Sequence, residues 1–263
     1  MDRFFDIIAQ GIAQGLTEFL PVSSSGHIAI VDYFTSQSSD ILHVSIVLHA
    51  GTLVSLIIYF WKQIKLKTIG LILFEKDAKI FTANIVSAMI PIIFIGFVFG
   101  DMIGDKYNSE YIVLDILPYT YFIMGLILFS AKHLPLKKIS TTIFPALAFL
   151  IGCVQVLAIF PGISRAGITI SAFLIFGVSR KDAAEFSFLV GIPTLFGAII
   201  LDIVNQGLSI TIIDCIGFVV SMIVGYLAIH LVFHLLSKSK FWYFSFYCWL
   251  LSLISIMMKI INV

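Results

Sequence analysis

Two short stretches of this chain carry the residue types that could do chemistry. One runs Gln14-Gly-Leu-Thr-Glu18-Phe-Leu-Pro21-Val-Ser23-Ser24-Ser25-Gly26-His27, the other Pro161-Gly-Ile-Ser164-Arg165-Ala-Gly-Ile-Thr169. Glu18 and Arg165 bring a carboxylate and a guanidinium into apolar sequence. A charge at bilayer depth costs roughly 2.5 kcal/mol or more, so such residues are usually retained for a substrate, an ion or each other.

Arg165 offers a fixed cation whose planar fork suits a phosphate or a carboxylate. Three successive serines offer hydroxyl and N–H donors around the same anion, and Gly26 allows close backbone approach. Gln14 and Glu18 stand four residues apart, so both project from one face of a helix. A carboxylate beside an amide oxygen suits a hard divalent cation, Mg²⁺ or Ca²⁺. His27 could orient a serine or act as general acid and base. Together these residues point to metal-assisted phosphoryl chemistry on a lipid.

The sequence around them is that of an integral membrane protein. Of 263 residues, 60% are hydrophobic and 12% charged, against about 25% charged in a soluble domain. Mean hydropathy is +1.08. Six stretches are long and apolar enough to cross as helices: 41–61, 80–100, 111–131, 186–204, 209–236 and 242–261. The alternation of a membrane β-barrel is missing, and no cleavage-site pattern marks the first segment as a signal peptide. Cys153, Cys215 and Cys248 all lie in apolar runs and suggest neither a disulfide framework nor a metal site.

A net charge of +1 predicts neither a nucleic acid nor an acidic partner. Twelve of the sixteen Lys and Arg residues fall between proposed spans, at Lys62 to Lys79, Lys132 to Lys138, Arg180 and Lys181, and Lys238 and Lys240. By the positive-inside rule those connections are cytoplasmic, and the connections near 101–110 and 202–206 are external. Residues 143–178 then begin and end inside, as a re-entrant hairpin broken at Pro161-Gly162. The first motif, broken at Pro21 and Gly26, reads as the same device entering from outside.

An internal repeat agrees with this. Gly11-x-x-Gln14 recurs as Gly152-x-x-Gln155, Pro21 as Pro161, Ser24 as Ser164 and Gly26 as Gly167, at a nearly constant offset. The expected fold is all-α: one membrane domain over 1–263, built of two inverted repeats, about 1–135 and 140–263. Each has a re-entrant helical hairpin and three transmembrane helices. Inverted repeats with broken helices place a site near the midplane, where half-helix N-termini favour an anion. The loops Ser23 to His27 and Ser164-Arg165 are expected to meet there.

At these residues the chain resembles the undecaprenyl-diphosphatase family, the bacitracin-resistance proteins. The likeness runs through Gln14 to His27, Leu48 to Trp61, Gly152 to Ile170 and Arg180 to Pro193, nearly the whole chain. It implies hydrolysis of undecaprenyl diphosphate to undecaprenyl phosphate and inorganic phosphate. This would recycle the lipid carrier of cell-wall synthesis and confer bacitracin resistance, in a bacterial plasma membrane with the site open to the outer face. It further implies a divalent cation at Glu18 and Gln14, Ser24 as nucleophile with His27 as its activator, and Arg165 as diphosphate clamp. Ser23, Ser25, Gly26, Ser164 and Thr169 would help bind the substrate. Gln14 stands where family members commonly have Glu or Gln. Ala166 replaces the Ser usual after the Arg and removes one hydroxyl donor.

Other readings compete. Glu18 and Arg165 could be a structural ion pair joining the two hairpins, and the serines could satisfy backbone groups freed by the breaks. Inverted repeats around an anion site also build transporters, so a flippase for undecaprenyl phosphate is the alternative function. Ser25-Gly26-His27 resembles a motif of the acid-phosphatase-like lipid phosphatases, but no His follows Ser164-Arg165 as that family requires. His230 and His234, four apart, suggest a metal pair without a third ligand. His49 is an ionisable residue inside a span, either lining the cavity or bonded to a neighbouring helix. Glu185 should pair with Arg180 or Lys181, and the 25 Phe residues should face lipid or packing surface.

Overall fold

The computed structural model describes residues 2–35, 38–107, 110–132, 142–207 and 211–261, and among these the regular structure is helical throughout. The expected boundary between the halves, and Lys137 and Lys138 of the second basic cluster, lie outside the described residues.

α1 (Asp2–Phe19) stops just before Pro21, which cannot donate to a continuing helix. α2 (Ser24–Thr35) starts three residues later. α3 (Ser38–Tyr59), α5 (Lys76–Tyr107) and α6 (Glu110–Ser130) complete the first half. The remaining helices follow. α7 (Pro145–Gln155) begins on a proline at its first turn, where a missing N–H is harmless, and tightens into a 3₁₀ turn, Val156–Ile159, ahead of Pro161. α8 (Arg165–Ile175), α9 (Arg180–Gln206), α10 (Ile212–Ser237) and α11 (Phe244–Ile261) follow. At about 1.5 Å per residue, α7 and α8 are too short to cross a bilayer singly.

The molecule is an all-α polytopic membrane protein. Lys76–Val98, Arg180–Asn205, Ile212–Ser237 and Phe241–Ile261 are long and apolar enough to span, and Val44–Tyr59 joins them if counted with the helix that follows. α6, the remaining expected span, contributes Leu114–Ser130 as a shorter apolar helix. Residues 62–79, expected only as a connection, are largely helical. The chain bends by 71° at Phe60 into α4 (Trp61–Ile72). Its Lys and Gln residues are good helix formers. Lys62 and Lys65 share it with exposed Trp61, Leu66 and Ile72, the composition of a helix lying in the membrane interface.

The packing crosses between the halves. α1 lies along α10 and α7 along α5, while α6 pairs with α11 and α3 with α9. A Cβ on Gly11 would stand 3.0 Å from the carbonyl of Gly217 in α10, and one on Gly152 would collide with the carbonyl of Ala88 in α5. Small residues thus set the same close approach in each half. Fully buried Phe19, Leu56, Leu117, Tyr121, Met124, Ile170, Phe188 and Ile229 form one core around the two helix breaks. Phe94 and Phe97, by contrast, project outward from α5, Phe97 at 91% exposure.

Candidate active site at two helix breaks

Each broken hairpin starts its second helix with a serine cap. Ser164 precedes α8, and its hydroxyl accepts the N–H of Gly167 at 3.1 Å. Ser23 precedes α2, and its hydroxyl accepts the N–H of Gly26 at 3.3 Å. By this capping role Ser23 corresponds to Ser164, whereas the sequence reading pairs Ser24 with Ser164. The correspondence brings Ser24 and Arg165 to equivalent places, each the first residue of its half-helix. Gln14 with Gln155 and Gly26 with Gly167 keep the same offset.

The two breaks touch. Ser23 Oγ also accepts the N–H of Gly162 at 3.1 Å, and Ser164 Oγ donates to the carbonyl of Leu20 at 3.3 Å. Ser23 takes a left-handed backbone (φ 64°), as does Gly162 (φ 93°), a conformation that costs little at Gly162 and about 1 kcal/mol or more at Ser23. The hydroxyls of Ser23 and Ser164 are thereby spent on backbone groups that the breaks set free, and both residues are buried.

Glu18 lies at the centre, 9% exposed. Its Oε1 is 3.4 Å from Arg165 Nη2, joining α1 to α8. Its Oε2 accepts from Ser24 Oγ at 2.8 Å and from the Gln14 amide at 3.1 Å, and His49 Nε2 of α3 stands 3.8 Å away. Arg165 Nη1 donates to the carbonyl of Ser187 in α9 at 3.2 Å. Thr169 holds that arrangement from behind: its hydroxyl donates to the carbonyl of Arg165 at 2.8 Å and shares a 2.6 Å bond with Ser187 Oγ.

His27 is placed otherwise than its expected role requires. Its Nδ1 is 2.7 Å from the carbonyl of Ser23, so Nδ1 carries the hydrogen and Nε2 accepts from the Tyr247 hydroxyl at 2.8 Å. The ring stacks on Tyr247 and meets Tyr121 edge-on. No bond joins it to Ser24 among the described contacts; the partner of Ser24 is Glu18. Ser25 is exposed and bonds Ser23 Oγ at 3.2 Å.

Of the residues expected from the sequence, the fold brings Gln14, Glu18, Ser24 and Arg165 together, each of the other three within hydrogen-bond reach of Glu18. The sequence left His49 open between lining the cavity and bonding a neighbouring helix, and it did not single out Ser187, Tyr121 or Tyr247. His49 had the signal of an ionisable residue within a span; the others are ordinary Ser and Tyr residues with no local mark. His230 packs against Tyr59 and Tyr226, and no cluster of three or more His, Cys, Asp or Glu occurs among the described residues. Glu185 pairs with Lys181 at 3.6 Å, near the start of α9.

Such a site can hold an anion. The N-terminal turns of α2 and α8 start at breaks that touch each other, and Arg165 and the Ser24 hydroxyl both contact the Glu18 carboxylate there. Glu18, Gln14 and Ser24 present oxygen donors, provided the Gln14 amide turns its oxygen inward, and that donor chemistry fits a hard cation that takes the rest of its shell from phosphate and water.

Residues 7–254 match the family described as bacitracin resistance protein BacA. The chain is 34% identical over 263 residues to an undecaprenyl-diphosphatase of Halothermothrix orenii, covering 97% of this chain and 98% of the relative. It is 36% identical over 256 residues to one of Carboxydothermus hydrogenoformans, with 94% of each chain covered. Over 242 residues it is 36% identical to one of Methanococcus maripaludis, covering 92% of this chain and 95% of the relative.

Proposed function

The chain belongs to the bacitracin resistance protein BacA family, and we infer from this that it is an undecaprenyl-diphosphatase of the membrane. It converts undecaprenyl diphosphate and water to undecaprenyl phosphate and inorganic phosphate, returning the lipid carrier to cell-wall synthesis and opposing bacitracin. The alternative of a flippase without hydrolysis gains nothing from the relatives, each named as a diphosphatase.

The observation that carries a mechanism is the bond from Ser24 Oγ to Glu18 Oε2 at 2.8 Å, beside the Arg165 guanidinium. Arg165 and the first-turn N–H groups of α2 and α8 bind the diphosphate and stabilise charge gathering on its terminal oxygens. Ser24 Oγ attacks the terminal phosphorus and passes its proton to Glu18. The bond to the bridging oxygen breaks, undecaprenyl phosphate leaves, and water then cleaves the phosphoserine, with the proton returning to Oγ. His27 keeps Ser23, and with it the start of α2, in place, which replaces the direct activation of Ser24 expected from the sequence. Ser23, Ser164 and Thr169 serve by fixing the two breaks and the Arg165 backbone, while Ser25 faces the entering headgroup.

Glu18 and the oxygen of Gln14 would hold a divalent cation, Mg²⁺ or Ca²⁺, completed by phosphate oxygens. Its charge would offset that developing in the transition state. The two halves read as inverted repeats, supported by the crossed packing of α1 on α10 and α7 on α5. The lysine-rich connections lie on the cytoplasmic side, and the site opens to the outer face.

Phosphate release by purified protein in detergent tests this directly, because no transport is possible there. Release that depends on a divalent cation and is lost with Glu18→Ala is the expected result. No release from folded protein would overturn the phosphatase reading and leave the transporter.

A further inference from the structure

His49 belongs to neither motif, yet its ring faces the central carboxylate. Its Nδ1 is 2.9 Å from the carbonyl of Ser45 one turn earlier in α3. A carbonyl oxygen has no hydrogen to give, so Nδ1 carries one. In the neutral ring Nε2 is then a bare lone pair, and it stands 3.8 Å from Glu18 Oε2. The two acceptors face each other across a gap too long for a hydrogen bond, one that a cation bound to both would bridge.

A metal ion fits that gap. Donors bound about 2.1 Å from one cation lie roughly 3 to 4 Å from each other. The 3.8 Å from His49 Nε2 to Glu18 Oε2 falls in that range. Arg165 holds Glu18 Oε1, so a cation would take Oε2, where the Ser24 hydroxyl and the Gln14 amide now donate and the Gln14 amide would turn its oxygen inward. An imidazole whose other nitrogen donates to a backbone carbonyl is also the way metal-binding histidines are held.

We propose that His49 Nε2 is a metal ligand, making the cation site with Glu18 and Gln14 a mixed nitrogen and oxygen site that favours Mn²⁺ or a similar transition ion over Ca²⁺. This rests on the cation assigned above to Glu18 and Gln14. Imidazole suits first-row transition ions, whereas Ca²⁺ takes oxygen ligands.

The test uses detergent-purified full-length protein, stripped with chelator and loaded with Mn²⁺. Pulsed electron paramagnetic resonance should show modulation from a directly bound ¹⁴N, which changes when the protein is made with ¹⁵N-histidine. That labelling needs no substitution and so no assumption about folding. His49→Gln should abolish the modulation and raise the Mn²⁺ dissociation constant about tenfold or more, with Ca²⁺ binding changed far less. His230→Ala and His234→Ala should retain it. Mn²⁺ bound without nitrogen modulation, or modulation that survives His49→Gln, overturns the proposal. So does a folded protein that binds no Mn²⁺. Cation-dependent phosphate release measured on the same sample reports separately on the phosphatase reading, which stands if release persists while the nitrogen signal is absent.

Discussion

Ser24 and Glu18 lie on opposite sides of a helix break, and the Ser24 hydroxyl donates to Glu18 Oε2 at 2.8 Å. The break at Leu20 to Ser23 folds the chain back so that the first residue of α2 meets the last turn of α1. A continuous helix would set residues six apart on different faces.

Ser24→Ala therefore removes the hydroxyl that meets the carboxylate while leaving Arg165 and both half-helix ends in place. Phosphate release from undecaprenyl diphosphate should fall on the order of 10³-fold or more, the scale of a lost nucleophile. Lipid binding, followed by a fluorescent analogue, should be nearly unchanged. Near-normal turnover would assign the attack to water.

Arg165 divides its fork between Glu18 Oε1 and the Ser187 carbonyl. Lysine cannot reproduce both contacts, so Arg165→Lys should lower phosphate release roughly tenfold or more despite the conserved charge. Glu18→Gln leaves the guanidinium without its buried partner. Breaking such a pair costs about 3–5 kcal/mol, which a thermal melt in detergent would register as a clear fall in Tm. Equal activity in Arg165→Lys and the parent would remove the fork geometry from the mechanism.

Gly26 marks the closest approach of the two breaks. A Cβ there would run into the Tyr121 hydroxyl and stand 3.0 Å from the Gly162 nitrogen. Gly26→Ala should lose about 1–3 kcal/mol of stability through overpacking. Adding Tyr121→Phe removes the hydroxyl and should restore part of the loss, an interaction that a double-mutant cycle of melting curves would measure. Independent, additive effects would mean that the two residues do not press on each other.

Ser25 is exposed at the start of α2. In a background with Cys153, Cys215 and Cys248 replaced by alanine, Ser25→Cys should react with a membrane-impermeant maleimide added outside intact cells. Lys238→Cys, after α10, should react only once the membrane is opened. The reverse pattern would invert the orientation and place the site on the cytoplasmic face.

Much of this was legible in the residues. Apolar length marked most of the long helices, and Pro21 and Pro161 marked the breaks, because a missing N–H and a ring clash act locally wherever a proline sits. Gln14, Glu18, Ser24 and Arg165 stood out because polar groups are costly in lipid. The α4 helix did not stand out, since charged residues between apolar runs read equally as loop or interfacial helix. Which serine caps α2 was not legible, because three adjacent serines look alike until Ser23 takes the left-handed backbone and accepts the N–H groups of Gly26 and Gly162.

The sequence by itself determined that the chain is helical, embedded in a membrane and broken at two polar points, since hydropathy, proline and charge act over a few residues. Only the tertiary structure decided the partners: Glu18 with Ser24 rather than His27 with Ser24, His27 locked between Ser23 and Tyr247, and His49 turned toward the central carboxylate. Those pairings join residues up to 220 positions apart. They follow from how α1, α3, α8 and α11 pack around one core, which no local spacing specifies.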